Sequence, residues 1–182
     1  MRYIVFDFEA TCWPVKPAGY VQETIEVGAY ALSGTGEYLG DFQRFVRPHY
    51  HPRLSPFCRE LTHIEQRDVD AAGDFASVID EFLSFIGYFD ARNDYLLCAW
   101  GDWDFRHLRR ECREHGLDDE WLEPHINLKE QYRRIVGAGK PIGLARAVRR
   151  EGYAWEGTAH RAIDDARNTV SVFLSHIDEW SY

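Results

Sequence analysis

Residues 2–13, RYIVFDFEATCW, decide how this chain is read. The run RYIVFDF, residues 2–8, is short, apolar and rich in β-branched and aromatic side chains, which suits a buried strand. Its end delivers Asp7 and Glu9. Residues i and i+2 of a strand share a face, so the two carboxylates project side by side where like charges repel. Between residues 3 and 15 there is no Lys or Arg to compensate them, which tilts the balance towards a metal ion held with ligands from elsewhere in the fold.

Working outward, WPVKPAGY (13–20) is a loop, and VQETIEVGAYAL (21–32) reads as a second strand. The turn at Ser33, Gly34, Thr35 and Gly36 leads into a third, EYLGDFQRFV (37–46), completing an antiparallel meander. RPHYHPRLSP is proline-rich loop, followed by a short helix over about 56–64. Asp74 suits an N-cap for a helix whose apolar positions Phe75, Val78, Ile79, Phe82 and Phe85 recur at helical spacing, with core packing as their default role. YLLCAW (95–100) is a fourth strand, and residues 103–114 form a helix stopped near Gly116. HINLKEQYRRIV passes from short strand to helix, IGLARAVRREG is a helix ended by Gly152, and 163–177 makes the last long helix. The expected fold class is α/β: a mixed sheet of three antiparallel strands plus parallel strands, flanked by helices.

At 182 residues the chain suits one domain over 1–182, and no repeat, low-complexity tract or linker suggests a second. Hydrophobic residues at 45% and six Trp indicate a folded protein. A formal charge of −9 argues against a broadly cationic nucleic-acid coat, so any polyanion must be gripped locally. Cys12, Cys58, Cys98 and Cys112 form no C-x-x-C pair and no zinc spacing, the pattern of reduced thiols. Asp7 and Glu9 interrupt the apolar start before a signal-peptide core could form, and no run has membrane-span length. A soluble, cytoplasmic protein without membrane contact is expected.

Further acids stand in CAWGDWDF, with Asp104 in the first turn of its helix, and in AHRAIDDARN. Each alone reads equally well as a turn former or helix cap. On the last helix the apolar stripe Ile163, Ala166, Val170, Phe173, Leu174 and Ile177 leaves Asp164 on a solvated flank with Arg167, Asn168, Ser171 and Ser175. Asp165 falls on the other flank with Ala162, Thr169 and Val172, and is the better ligand. His160, five residues earlier, belongs in the preceding loop, from which it can swing over Asp165. A lone histidine is more often exposed or capping, but beside these acids a base titrating near neutrality suits hydrolysis. Carboxylates this far apart in sequence form a hard, oxygen-lined cation site if the fold brings them together.

The order Asp-x-Glu, then an aromatic-Asp pair after a strand, then His followed five residues later by Asp resembles the DEDDh family of 3′ to 5′ exonucleases. FDFEATCW, LSPFCRELTHIEQ and AWGDWD are similar to the subgroup of histone-mRNA 3′ exonucleases and RNA-silencing exonucleases, and the resemblance runs over nearly the whole chain. It implies a ribonuclease-H-like five-stranded sheet and two divalent ions, Mg²⁺ or Mn²⁺. Asp7 would bridge both ions, Glu9 and Asp165 would complete one, and Asp104 would hold the other directly or through water. Glu9 and His160 would be the catalytic residues, His160 taking a proton from the attacking water.

The resemblance further implies a pocket for the 3′-terminal nucleotide of a single strand, RNA favoured over DNA. Phe57 and Trp103 would stack on the base beside Leu61, and the backbone near Ala10 together with Phe105 would contact the sugar. Phe57 and Leu61 read equally as the buried face of a short helix. Arg106, Arg109, Arg110 and Arg113 alternate with Glu111 and Glu114, which suits a solvated face at least as well as phosphate contacts. The chain is expected to lack the separate nucleic-acid-binding module of some relatives. A hydrolase of small nucleotides or dinucleotides, and a non-catalytic nucleic-acid-binding module, remain alternatives to a 3′ to 5′ exonuclease releasing nucleoside 5′-monophosphates. Oligomeric state is open.

Overall fold

Five strands form one sheet in the computed structural model, which describes residues 1–90 and 94–181. They are β1 (Arg2–Ala10), β2 (Thr24–Ser33), β3 (Tyr38–Phe45), β4 (Tyr95–Ala99) and β5 (His125–Asn127), in the order β3-β2-β1-β4-β5. The β1–β2 and β2–β3 pairs are antiparallel, whereas β1–β4 and β4–β5 are parallel. This is the mixed, ribonuclease-H-like arrangement expected. The last β1–β4 partners are Val5 and Cys98, so β1 runs on past the end of β4. Asp7 and Glu9 occupy that overhang, paired only on the other side, with Gly28 and Glu26 of β2. The carboxyl ends of parallel strands are where open α/β sheets place their ligands.

The described residues also form seven α-helices: α1 (Pro56–Thr62), α2 (Gln66–Asp70), α3 (Phe75–Ile86), α4 (Trp103–Glu114), α5 (Leu128–Ile135), α6 (Leu144–Arg150) and α7 (Ala162–Ser175). Strand alternation divides the core. Ile4, Phe6 and Phe8 pack with α3 and α4, while Tyr3 and Val5 pack with α5, α6 and α7. By the same alternation Asp7 and Glu9 face the α7 side. Asp74 caps α3 by accepting from the Ser77 amide at 2.9 Å. Burying each large apolar side chain of α3 stabilises by about 1.5–3 kcal/mol, and Ile86 joins Phe75, Val78, Ile79 and Phe82 in the core while Phe85 stays partly open.

Three local readings are corrected. β2 begins at Thr24 and not at Val21, because the Glu23 carboxylate is committed to the loop, accepting the amides of His49, Tyr50 and His51 at 2.6–2.8 Å. The short helix α2, absent from the sequence reading, is closed by a capping box between Glu65 and Asp68. On α7 the buried face is rotated from the expected stripe. Ala162, Thr169 and Val172 are fully buried, and Leu174 is exposed. Asn168, expected in solvent, is buried and bonded to Glu156 and to the carbonyl of Asp164. The four cysteines are unpaired, and no helix among the described residues is long and apolar enough to cross a membrane.

Candidate active site

Three elements bring the carboxylates to the end of β1. Asp7 and Glu9 come from the overhang, Asp104 from the first turn of α4, and Asp165 from the first turn of α7. Gly101, with φ of 128°, turns the chain from β4 into α4, and Asp102 is tied to β5 by the Asn127 amide at 2.6 Å. His160 lies in the loop just before α7 in a left-handed conformation, φ 62°, and its amide donates to Asp165 Oδ1 at 3.3 Å. A non-glycine residue in that region is strained. Ligand atoms of Glu9, His160 and Asp165 lie within 4.8 Å of one another. Beyond burial, the charges of Asp104, Glu9 and Asp165 each raise the Asp7 carboxyl, and Asp104 acts on Glu9 as well, so Asp7 and Asp104 belong to the same electrostatic cluster.

The acids are held at a cost. Burial first, then Asp104, Glu9, Asp165 and Glu26, keeps the Asp7 carboxyl protonated well above the usual carboxylate range. Burial, with Asp165 and Glu26 next, pushes Glu9 up to about 9. Burial also raises Asp104 to about 7, against the pull of backbone amides at Asp104 and Phe8. Asp165 likewise rises to about 7 by burial, opposed by the His160 amide. Among the described residues no Lys or Arg pairs with any of the four. Arg161, just before α7, is already taken by Glu26. A cluster of oxygen ligands with one imidazole and no organic counter-ion fits a hard divalent cation.

Glu26 is a buried acid beside the cluster that the sequence reading missed. It is 0% exposed on β2, opposite Glu9, and accepts Arg161 Nε at 3.0 Å, Arg161 Nη2 at 2.9 Å and the Ala162 amide at 3.0 Å. Gln43 Nε2 donates to it as well, at 2.6 Å. This clamp fixes the loop bearing His160 and the start of α7 bearing Asp165. An acid inside the apolar run TIEVGAY was the available signal, but its partner lies 135 residues away.

An open cleft of about 440 Å³ adjoins His160, lined by Phe57, Glu60, Leu61, His63 and Ala159. Phe57 is 36% exposed, and the buried side chains of α1 are Cys58 and Thr62, so Phe57 and Leu61 are not that helix's buried face. Ser55 sets the position of α1: its Oγ accepts the Cys58 amide at 3.0 Å and donates to the Cys12 carbonyl at 2.7 Å. The Ala10 carbonyl meets Cys58 Sγ at 3.8 Å. Trp103, beside Asp104, is 40% exposed.

Phe105 is corrected. It was expected at a sugar, but it is 2% exposed, edge-on to Phe6 and stacked on His125, because positions 105, 108 and 112 of α4 face the sheet. The arginines of α4 are engaged at the surface: Arg109 with Glu123, Arg113 with Asp119, and Arg110 with Glu114 and the Gln22 carbonyl.

Known proteins resemble this chain over most of its length. Human ERI1 exoribonuclease 2 is 34% identical over 187 residues, which cover 92% of this chain and 27% of the relative. The 3′-5′ exonuclease Snipper of Drosophila melanogaster is 32% identical over 197 residues, covering 96% of this chain and 68% of the relative. The solved nuclease domain of 3′hExo, a DEDDh family member bound to rAMP, superposes with a TM-score of 0.88 at 27% identity, covering 97% of this chain and 92% of that one. The chain thus spans 27% of the length of ERI1 exoribonuclease 2, and 52% of human ERI1 exoribonuclease 3. Residues 4–173, which include every acid of the cluster and His160, match the profile of the exonuclease family RNase_T, and the chain belongs to that family.

Proposed function

We propose that this chain is a single-domain, metal-dependent 3′ to 5′ exonuclease that releases nucleoside 5′-monophosphates from the end of single-stranded RNA. The observation that carries the reading is the convergence of Asp7, Glu9, Asp104 and Asp165, without an organic cation, beside His160 and an aromatic-lined cleft. The preference for RNA is supported by the likeness to exoribonucleases.

Asp7, Glu9, Asp104 and Asp165 would hold two Mg²⁺ or Mn²⁺ ions. When bound, such ions neutralise the phosphodiester, favour the nucleophilic form of water and stabilise the leaving oxygen. His160 accepts the proton of the attacking water at a ring nitrogen. The water oxygen bonds to phosphorus as the P–O3′ bond to the penultimate nucleotide breaks, the leaving 3′ oxygen takes a proton from solvent, and the terminal nucleotide departs with its 5′-phosphate. Phe57 and Trp103 stack on the terminal base, beside Leu61, with the Ala10 backbone at the sugar. Stacking serves every base, so little sequence preference is expected. The strand is held locally by metal and aromatic faces, which reconciles a net charge of −9 with a polyanionic substrate.

Digestion of 5′-labelled RNA and DNA with Mg²⁺ or Mn²⁺, beside EDTA and Asp7→Ala controls, tests the proposal. A ladder shortening from the 3′ end and abolished by both controls supports it. Intact strands with cleaved dinucleotides would replace it with a small-nucleotide hydrolase, and binding without cleavage with a nucleic-acid-binding module.

A further inference from the structure

Trp103 does not stand alone at the site. Its ring lies against His107, one turn along α4, with centroids 4.6 Å apart and planes 18° from parallel. His107 is only 5% exposed, so this stack covers one face of Trp103 with a ring that cannot swing into solvent.

The fixing of His107 is itself specific. Its Nε2 lies 3.0 Å from Glu111 Oε2 and 3.1 Å from Thr24 Oγ1. Its Nδ1 lies 3.3 Å from Arg110 Nη2. Guanidinium only donates, so Nδ1 accepts and Nε2 carries the hydrogen. Glu111, also buried, accepts the Thr24 hydroxyl at 2.6 Å and the Thr24 amide at 3.1 and 3.0 Å through its two oxygens. Thr24 is the partner of Ala10, the residue after Glu9. A continuous chain of contacts therefore runs from the strand bearing Asp7 and Glu9, through Thr24, Glu111 and His107, to the plane of Trp103. None of these three polar residues has a part in the chemistry described above, and a buried network of this kind holds a geometry only when every member is satisfied.

We infer that His107 is a positioning residue for base recognition: it holds the Trp103 ring in register with the carboxylate cluster, so that a stacked terminal base presents its phosphate to the acids. This rests on the proposed role of Trp103 as a stacking surface. Without His107 the indole regains rotamer freedom, and each stacked base must order it again.

The test is calorimetric titration, in Mn²⁺, of adenosine 5′-monophosphate and of ribose 5-phosphate, which carries the phosphate and sugar but no base. The full chain is compared with Trp103→Ala, His107→Gln and His107→Phe, thermal unfolding of each variant recording its fold. His107→Gln keeps polar partners but no ring, and is expected to weaken the nucleotide about five- to thirtyfold while leaving ribose 5-phosphate within about twofold. His107→Phe keeps the ring and is expected to retain the discrimination between the two ligands, although its melting temperature falls because Glu111 loses a partner. Equal weakening of both ligands by His107→Gln would reduce His107 to a structural residue and overturn the inference. Loss of base discrimination in Trp103→Ala but not in His107→Gln would overturn the inference alone, leaving Trp103 as the platform. Unchanged discrimination in Trp103→Ala would overturn the platform and the inference together.

Discussion

A Cβ placed on Gly28 would lie 2.2 Å from the backbone nitrogen of Ile163, and the same glycine pairs across the sheet with Asp7. The first turn of α7 thus rests directly on the backbone of β2, at the level of the carboxylate cluster. The obstacle to a side chain here is helix backbone, which cannot rotate away. Gly28→Ala is expected to lift the start of α7, destabilising by about 1–3 kcal/mol and lowering turnover more than about tenfold where the protein is still folded. Gly34→Ala, whose Cβ meets only the Met1 carbonyl at 3.5 Å, serves as control. Urea unfolding with steady-state rates measures both, and equal behaviour of the two variants would refute the placement argument.

The clamp between Glu26 and Arg161 is expected to control the histidine loop. Removing one member of a buried ion pair costs about 3–5 kcal/mol, less here because Arg161 retains some exposure. Glu26→Gln should depress kcat more than it raises KM, since the loop carries His160, whereas Phe57, Leu61 and Trp103, the residues proposed to bind the base, stand on α1 and α4. Arg161→Lys keeps the charge without the two-pronged contact and should fall between wild type and Glu26→Gln. A change confined to KM would argue against this role.

The carboxylate cluster predicts how stability depends on pH without metal. Unfolded, these acids titrate near about 4. Folded, Asp104 and Asp165 titrate at about 7 and Glu9 at about 9. The folded state holds more protons within that window, so stability is complete below the unfolded values and is lost as pH rises through the folded ones. The melting temperature of metal-free protein should therefore fall between pH about 5 and pH about 9, with a shallower fall in Asp7→Asn. Mn²⁺ should restore it most at the alkaline end, where the ligands are ionised. A scanning-calorimetry profile that is flat, or rises with pH, would contradict the cluster.

Phe57→Ala removes one face of the cleft without disturbing the core, because Phe57 is half exposed on α1. Stacking worth about 1–3 kcal/mol per base corresponds to a rise in KM of about 5- to 150-fold, with unfolding unchanged. Phe89→Ala, another exposed aromatic, should leave KM as it is. Rates on a single-stranded oligonucleotide series decide between them.

Much of the fold and of the site could be read along the chain because its signals are short-range. The apolar run of residues 2–8 marks β1, and strand geometry puts Asp7 and Glu9 on one face. Asp74 announces α3, and the wheel of the last helix separates Asp165, which joins Glu9 and His160, from Asp164. The same wheel placed Asn168 in solvent, because composition along one helix does not reveal that Glu156, twelve residues upstream, supplies its hydrogen bonds. It took the tertiary structure to carry Phe105 from the expected sugar contact into the core, to join Glu26 to Arg161, and to make Gly28 the seat of α7. The physical reason is one of range. Strand alternation, caps and helical spacing are set by backbone geometry within a few residues, whereas the partner of a buried charge and the clearance between two backbones exist only once distant segments are packed together.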